Sequence, residues 1–512
     1  MQLIRSYHSP LEPFEVYKRL SRCSPVSFFL DSPAYQAPDQ CYSYMGANPF
    51  LELRLEKNKI YLSGEKRGVY PASDLFKIIR KLLTAYCLLP TFKVPFFTGG
   101  MVGYFSYEAV TLFEKIRLRK RGQSKGGAIP LVYFAFYRDL IVYDHKRKHY
   151  WIVGNVEFPL TPTLSQFAKK RTDSSSGVRE KGKDQDSLPS QGRGQGEGVL
   201  HLHPEISQQQ FETMVRKAKK YIAAGDIYQA NLSQRFFFDY SGDLLELYGK
   251  LRTINPSPFS CFLKIRDTAI VSSSPERLIQ KRGRLCETRP LAGTRAAPRK
   301  KSRGNAVKRD LLGNEKERAE HIMLVDLERN DLGRVCDYKS VRVEEMMVTE
   351  RYSHVMHIVS KITGRLQKRK DGLDLIKAMF PGGTITGCPK IRCMEIIDEL
   401  EKSARGLYTG SIGYMDFKGD LDLNIVIRTL VLQKKKGWLQ VGAGIVHDSD
   451  PAKEYEETLH KGEALVEALA LVTGTVLPNP LLHKQLQQTR PFLRKSQKIC
   501  LLNVKNQGTV LS

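Results

Sequence analysis

No stretch of this 512-residue chain is apolar for about 18 residues, the length a membrane-crossing helix needs, so no membrane span is expected. Residues Met1 to His8 lack the apolar core and cleavage site of an export signal. The nine cysteines are an odd number and form no Cys-x-x-Cys pair, which argues against a disulfide framework or a zinc site. A reducing, cytoplasmic setting is the expectation. Acid is scarce beside base: 54 Asp and Glu face 81 Lys and Arg, for a net charge of +27. That excess raises the question of nucleic acid, yet the basic residues are spread along the chain with no aromatic-interleaved stripe and no recognised nucleic-acid motif. An anionic substrate accounts for the charge at least as well, and no nucleic-acid partner is expected.

The chain does have the composition of a soluble globular protein, 41% hydrophobic and 26% charged, and is long enough for one large core or several smaller ones. Residues 1–158 read as a region rich in strands, for example at Ser27–Ser32, Leu51–Leu55, Val132–Tyr137 and Leu140–Tyr143. Within it Asp74–Tyr86 has helical spacing, and glycines punctuate Phe97–Tyr107 as in a tight strand or turn. Residues 159–202 form a low-complexity insertion or linker, too poor in apolar residues to build a core. A second large region spans 203–473, with helical patterns at 211–222, 372–379 and 389–401. Residues 474–512 read as a basic tail.

Two helical patterns carry carboxylates in pairs. Glu317 and Glu320 lie three residues apart on the face continued by Leu324 and Leu327; Glu454 and Glu457 repeat the spacing ahead of Ala464, Leu465 and Ala468. Four such carboxylates turned inward would make an oxygen-rich pocket for Mg²⁺; two solvated helix faces would show the same spacing. Phe380-Pro-Gly-Gly-Thr-Ile-Thr-Gly-Cys-Pro-Lys390 sets glycines, hydroxyls and a lysine at a helix start, an anion cradle or a structural turn, without P-loop spacing. Gly442, Ala443 and Gly444 follow a strand pattern and let backbone approach a ligand closely. Arg428 is read as a strand residue that could clamp a carboxylate, or as an ordinary surface arginine. Gln229 and Asn231 alternate on one strand face, and Glu276 ends a strand as a plausible general acid. His357 sits in an apolar segment, where a core histidine is the usual occupant.

Taken in order, Gly225-Asp-Ile-Tyr-Gln229, Ser274-Pro-Glu-Arg277, Thr288-Arg-Pro-Leu-Ala-Gly-Thr294, Glu320-His-Ile-Met-Leu-Val-Asp326, Pro381-Gly-Gly-Thr-Ile-Thr-Gly387 and Gly442-Ala-Gly444 resemble the chorismate-utilising enzymes. More narrowly they resemble component I of anthranilate synthase and of aminodeoxychorismate synthase. The resemblance covers 203–473 and reaches into the N-terminal region through Tyr42–Gly46 and Phe97–Tyr104. It implies an α/β (α+β) fold, a large two-layered sandwich of mostly antiparallel sheets with outer helices. It implies Mg²⁺ held by Glu320 and Glu457, supported by Glu317 and Glu454, on the ring carboxylate of chorismate. Arg428, Tyr408 and the backbone of Gly442–Gly444 would hold the pyruvyl carboxylate, with Lys390 nearby. Glu276 would be the acid for the leaving C4 hydroxyl, and His357, Thr384 and Gln229 complete the catalytic set.

The two branches of the family part at Ala292, where the aminodeoxychorismate branch normally places a lysine that attacks C2. An alanine there favours anthranilate formation, as do Thr384 and Val355-Met-His357. Tyr228–Leu232, Pro258–Phe262 and Gly382–Cys388 look more like the aminodeoxychorismate branch, which is the reading adopted, with anthranilate synthase as the alternative. Lys390 is the candidate to replace the missing nucleophile. No glutaminase is recognisable, so ammonia would come from a separate glutamine amidotransferase subunit. A remoter alternative is a non-catalytic homologue that binds an aromatic amino acid at Leu30–Ser32 and Tyr42–Tyr44.

Overall fold

The computed structural model describes residues 3–22, 24–32, 41–87, 94–119, 129–156, 200–296, 308–310, 313–351 and 355–475. The expected insertion, apart from 200–202, and the tail beyond 475 lie outside the described residues.

Two antiparallel sheets of 12 strands each form the body of the protein. The central strands are apolar along their length because each sheet buries two faces, one against the other sheet and one beneath helices. Val26, Phe28, Tyr44 and Val142 from one sheet pack against Val102, Tyr104, Tyr133 and Tyr137 from the other to make the layer between them. Helices cover the outer faces. Pro13–Ser21, Leu244–Ile254 and Pro451–Thr473 lie on the first sheet, and Leu75–Ala85, Glu315–Gly333 and Gly372–Met379 on the second. The helix starts are fixed locally: Asp243, Asp371 and Asp450 cap their helices through side-chain oxygens, and Pro451 stands at the first turn.

N-terminal and C-terminal segments share both sheets. Val26–Asp31 pairs with Phe259–Ile265 in the first, and Gly100–Phe105 pairs with Ser411–Asp416 in the second. Neither sheet is complete without strands from both parts of the chain.

Two neighbouring strands pass from one sheet to the other side by side. Thr268–Ser274 belongs to the first sheet and continues as Arg277–Arg282 in the second. Its partner runs the opposite way, from Leu421–Asn424 in the second sheet to Thr429–Gln433 in the first. The corner is stitched by Ile425 N–H to Glu276 O at 3.0 Å and by Ser273 N–H to Arg428 O at 3.1 Å. Strands that change sheets must bend, and a bend exposes side chains that a continuous ladder would hide. Glu276 and Arg428 occupy the two halves of this corner.

Candidate active site

Arg428 is not on a strand, as its apolar neighbours suggested. It lies in the connection between Leu421–Asn424 and Thr429–Gln433 with φ +49°, a left-handed conformation that few non-glycine residues adopt. The guanidinium makes no hydrogen bond or ion pair with any described side chain. Burial lowers its pKa, and the Glu276 carboxyl opposite offsets part of that. A half-buried cation with no fixed partner is a receptor for an anion.

Glu276 is 5% exposed. Burial pushes its carboxyl up to about 7, while the Thr384 hydroxyl, the Leu291 N–H and the charges of Arg428 and Lys461 pull the other way. The Leu291 N–H donates to Glu276 Oε1 at 3.4 Å. A carboxyl that titrates near neutral pH can give a proton and take one back. Thr384 reaches it from the short turn Gly383–Ile385, in a loop bracketed by cis peptide bonds at Phe380–Pro381 and Cys388–Pro389. The expected cradle therefore places Thr384 beside the acid, its buried hydroxyl oxygen without a hydrogen-bond partner among the described residues.

His357 joins the same group. Burial, then the charge of Arg428, lowers its pKa to about 4, against the Gly293 carbonyl, which lies 3.2 Å from Nδ1. It is a neutral imidazole at pH 7. Ala292 lies on the neighbouring strand, across from Ile358 and next to Leu291, half-buried.

The floor is built from Gln229–Asp239 and Lys436–Ile445, paired so that Asn231 faces Gly444 and Ser233 faces Gly442. A Cβ on Gly442 would come within 2.6 Å of Tyr408 Oη and 2.8 Å of Asn231 Oδ1, and one on Gly444 within 2.6 Å of Gln229 Nε2. At Gly442 the Tyr408 phenol and the Leu232 carbonyl make glycine necessary, whereas at Gly444 the neighbour is the flexible end of Gln229. Burial raises the Tyr408 pKa, so its phenol is a hydrogen-bond donor. Thr429–Gln433 pairs with the strand Lys436–Ile445 only as far as Leu439, so among the described residues the far edge of Gly442–Gly444 has no strand partner. Ala443 turns its methyl the other way, into the apolar cluster with Phe211 and Met214. It offers backbone alone.

Several expected residues stand elsewhere. Lys390 is 10% exposed, ion-paired with Asp331 and donating to the Met379 carbonyl at 3.2 Å. It is a buried structural cation and cannot serve as the nucleophile missing at position 292. Glu457 is not on a buried face: its side chain is 50% exposed and pairs with Lys461 at 2.7 Å, one position before the buried Thr458. Glu317, Glu320 and Glu454 are half-buried. Among the described residues no three acidic, histidine or cysteine side chains converge as a ready-made metal cage. The donors are nevertheless all carboxylate oxygens, and Mg²⁺ is commonly held by one or two carboxylates with substrate and water completing its shell. The set fits that mode of binding.

Three participants went unread in the sequence. Lys461 reaches the Gly442 carbonyl at 3.1 Å and adds its charge to the field at Glu276; its i+4 relation to Glu457 was the available signal. Glu328 and Asp331 are the most buried carboxylates of the helix Glu315–Gly333, on the stripe of His321, Leu324, Val325 and Leu332. A separate cavity, lined by Leu30, Ser32, Tyr42, Tyr44, Arg282 and Asp422, lies at the region suggested for an aromatic amino acid, and neither Glu276 nor Arg428 lines it. Asp31 on its wall is already bound by Ser43, Tyr248 and Arg252. Among the described residues, no helix is long and apolar enough to cross a membrane, and the cysteines are free thiols.

Residues 30–467 match the model of the chorismate binding enzyme family. Aminodeoxychorismate synthase component 1 of Bacillus subtilis (strain 168) is 42% identical over 434 residues, 84% of this chain and 89% of that protein. Anthranilate synthase component 1 of Acetivibrio thermocellus is 38% identical over 92% of this chain and 94% of its own length. The crystal structure of anthranilate synthase component I from Streptococcus pneumoniae TIGR4 superimposes with a TM-score of 0.68 at 31% identity, covering 90% of this chain and 99% of that one. The family model covers most of the chain, and these relatives match it along nearly its whole length: the chain belongs to the chorismate binding enzymes.

Proposed function

We propose that the protein is component I of an aminodeoxychorismate synthase, aminating chorismate to 4-amino-4-deoxychorismate on the route to 4-aminobenzoate and folate. Ammonia comes from a separate glutamine amidotransferase subunit. The observation that carries the reading is the sheet-to-sheet corner, which sets the Glu276 carboxyl, near pKa 7, within the field of the Arg428 guanidinium. Loss of a hydroxyl from a dianion needs a proton donor and anion clamps, and these are the two groups the corner supplies. Glu276 gives its proton to the departing C4 hydroxyl. Arg428, the Tyr408 phenol and the free edge of Gly442–Gly444 hold the pyruvyl carboxylate, with Lys461 adding positive charge. Glu320 and Glu457, supported by Glu317 and Glu454, would hold Mg²⁺, which supplies Lewis-acid charge for the ring carboxylate. Gln229 faces the ring from the floor. The product assignment is supported by the motif likeness at Tyr228–Leu232, Pro258–Phe262 and Gly382–Cys388, and by the 42% identity to the Bacillus subtilis protein.

One observation favours a second reading. Ala292 offers no amine, and Lys390, tied to Asp331, does not replace it. Direct attack of ammonia at C2 followed by loss of pyruvate would give anthranilate, with neutral His357 as the base.

A single experiment separates them. Purified protein is incubated with chorismate, ammonium and Mg²⁺, with and without added aminodeoxychorismate lyase, and products are identified by mass. The first reading expects 4-aminobenzoate only with the lyase, and none after chelation by EDTA until Mg²⁺ is restored. Fluorescent anthranilate without the lyase would establish the second. No consumption of chorismate in any arm would refute both and leave a ligand-binding homologue.

A further inference from the structure

Glu328 is a buried carboxyl for which the proposed chemistry has no use. It is 2% exposed on the inner stripe of the helix Glu315–Gly333. Its Oε1 accepts the Gly383 N–H at 3.2 Å, and its Oε2 lies 3.3 Å from Thr288 Oγ1. Each contact leads to an element that frames Glu276. Gly383 opens the turn carrying Thr384, which lies beside the Glu276 carboxyl. Thr288 ends the strand Leu285–Thr288, and its hydroxyl donates at 2.9 Å to the carbonyl of Leu278, two residues beyond Glu276. The approach of helix to loop is tight: a Cβ on Gly383 would collide with Leu327 Cδ2 and lie 3.3 Å from Glu328 Oε1. One side chain thus joins the helix of Glu317 and Glu320, the Thr384 loop and the strand that closes on Glu276.

Its charge state follows from what surrounds it. The charged or titratable groups that face it are Asp331 on its own helix, Lys390 from the helix Lys390–Leu400 and Glu276 from the corner. Lys390 is ion-paired with Asp331, and Glu328 has no cation of its own among the described residues. Burial and the Asp331 charge push it up to about 8, so it carries a proton at pH 7. The Thr288 hydroxyl has one proton, and the Leu278 carbonyl takes it at the shorter distance. The carboxyl O–H then donates to Thr288 Oγ1 while the other carboxyl oxygen accepts from Gly383.

We propose that Glu328 is a positioning residue for Glu276: by bridging Thr288 and Gly383 it holds the Thr384 turn and the strand Leu285–Thr288 in place around the Glu276 carboxyl. This rests on the reading of Glu276 as the acid.

The full chain is assayed with chorismate, ammonium and Mg²⁺ as wild type and as Glu276→Gln, Glu328→Gln, Glu328→Ala and Thr288→Val. An amide at 328 keeps both bonds, one as donor and one as acceptor; alanine keeps neither. Glu328→Ala is expected to lose about tenfold to a hundredfold in kcat with a chorismate KM within about twofold of wild type. Glu328→Gln is expected to stay within about threefold of wild-type kcat at pH 7. It should also lose activity less steeply above pH 8, because the wild-type neighbour that ionises there is gone. Thr288→Val, which removes both the acceptor for Glu328 and the donor to the Leu278 carbonyl, should lower kcat in the same direction and serves if Glu328→Ala does not fold. Wild-type kcat in Glu328→Ala or Thr288→Val, or a Glu328→Gln as impaired as the alanine variant, overturns the proposal. An active Glu276→Gln would instead remove the acid reading beneath it.

Discussion

Replacing Glu276 by glutamine should stabilise the protein at alkaline pH while abolishing its chemistry, and the size of the effect can be worked from the corner itself. The carboxyl is 5% exposed and titrates near 7, against an ordinary glutamate value of 4.5. Burial is the largest cause, because the charged form loses its hydration. The folded protein therefore keeps a proton that the unfolded chain releases. The corresponding stability is intact below pH 4.5 and falls as pH rises towards 7, beyond which it stays level. At 1.36 kcal/mol per pH unit the total is about 3 kcal/mol by pH 8 and less than about 1 kcal/mol at pH 5. Glutamine has nearly the same shape, can still accept the Leu291 N–H, and never ionises. The stability gap in favour of Glu276→Gln should accordingly widen by about 2–3 kcal/mol between pH 5 and pH 8. Urea unfolding midpoints at the two pH values, with an unchanged slope, read this directly. Chorismate turnover, measured in parallel, should be lost at both. A gap that does not change with pH would refute the claim that a buried, proton-holding carboxyl sits at this corner.

Arg428→Ala should raise the chorismate KM by about tenfold to a hundredfold with little loss of stability, since the guanidinium has no fixed partner to abandon; unchanged KM in steady-state assays would argue that it clamps no carboxylate. Gly442→Ala should destabilise the fold by about 1–3 kcal/mol and remove activity, because the new methyl meets Tyr408 Oη, Leu232 O and Asn231 Oδ1 at 2.6, 2.7 and 2.8 Å. A soluble variant with wild-type turnover would show that the floor yields. Ala292→Lys should move the product ratio towards 4-aminobenzoate in the lyase-coupled assay, and an unshifted ratio would mean that position 292 does not face the ring.

The periodicities of single segments were legible in the sequence because they are set locally. Alternation over Leu51–Leu55 and helical spacing over Asp74–Tyr86 gave Leu51–Glu56 and Leu75–Ala85 in the structure. The ordered motifs carried the family, and with it the antiparallel sandwich. Glu276 and the glycines at 442 and 444 could be singled out from residue type and neighbours, and the family resemblance added Thr384 and His357. What the sequence left open depends on contacts between residues far apart in the chain. Arg428 looked like a strand residue because both its flanks are apolar, but those flanks belong to two different sheets, and its left-handed bend exists only where they meet. Lys390 looked available because a lysine after a glycine loop usually serves an anion; Asp331, 59 residues earlier in the chain, takes it. Glu457 looked inward by its spacing to Glu454, yet one helical position, a rotation of about 100°, separates it from the buried Thr458. Glu328 was not singled out in the sequence, and only the packing of its helix against Gly383 and Thr288 makes it buried. Residue spacing fixes which side chains can share a face; burial and charge state are set by what packs against that face, and that is decided in three dimensions.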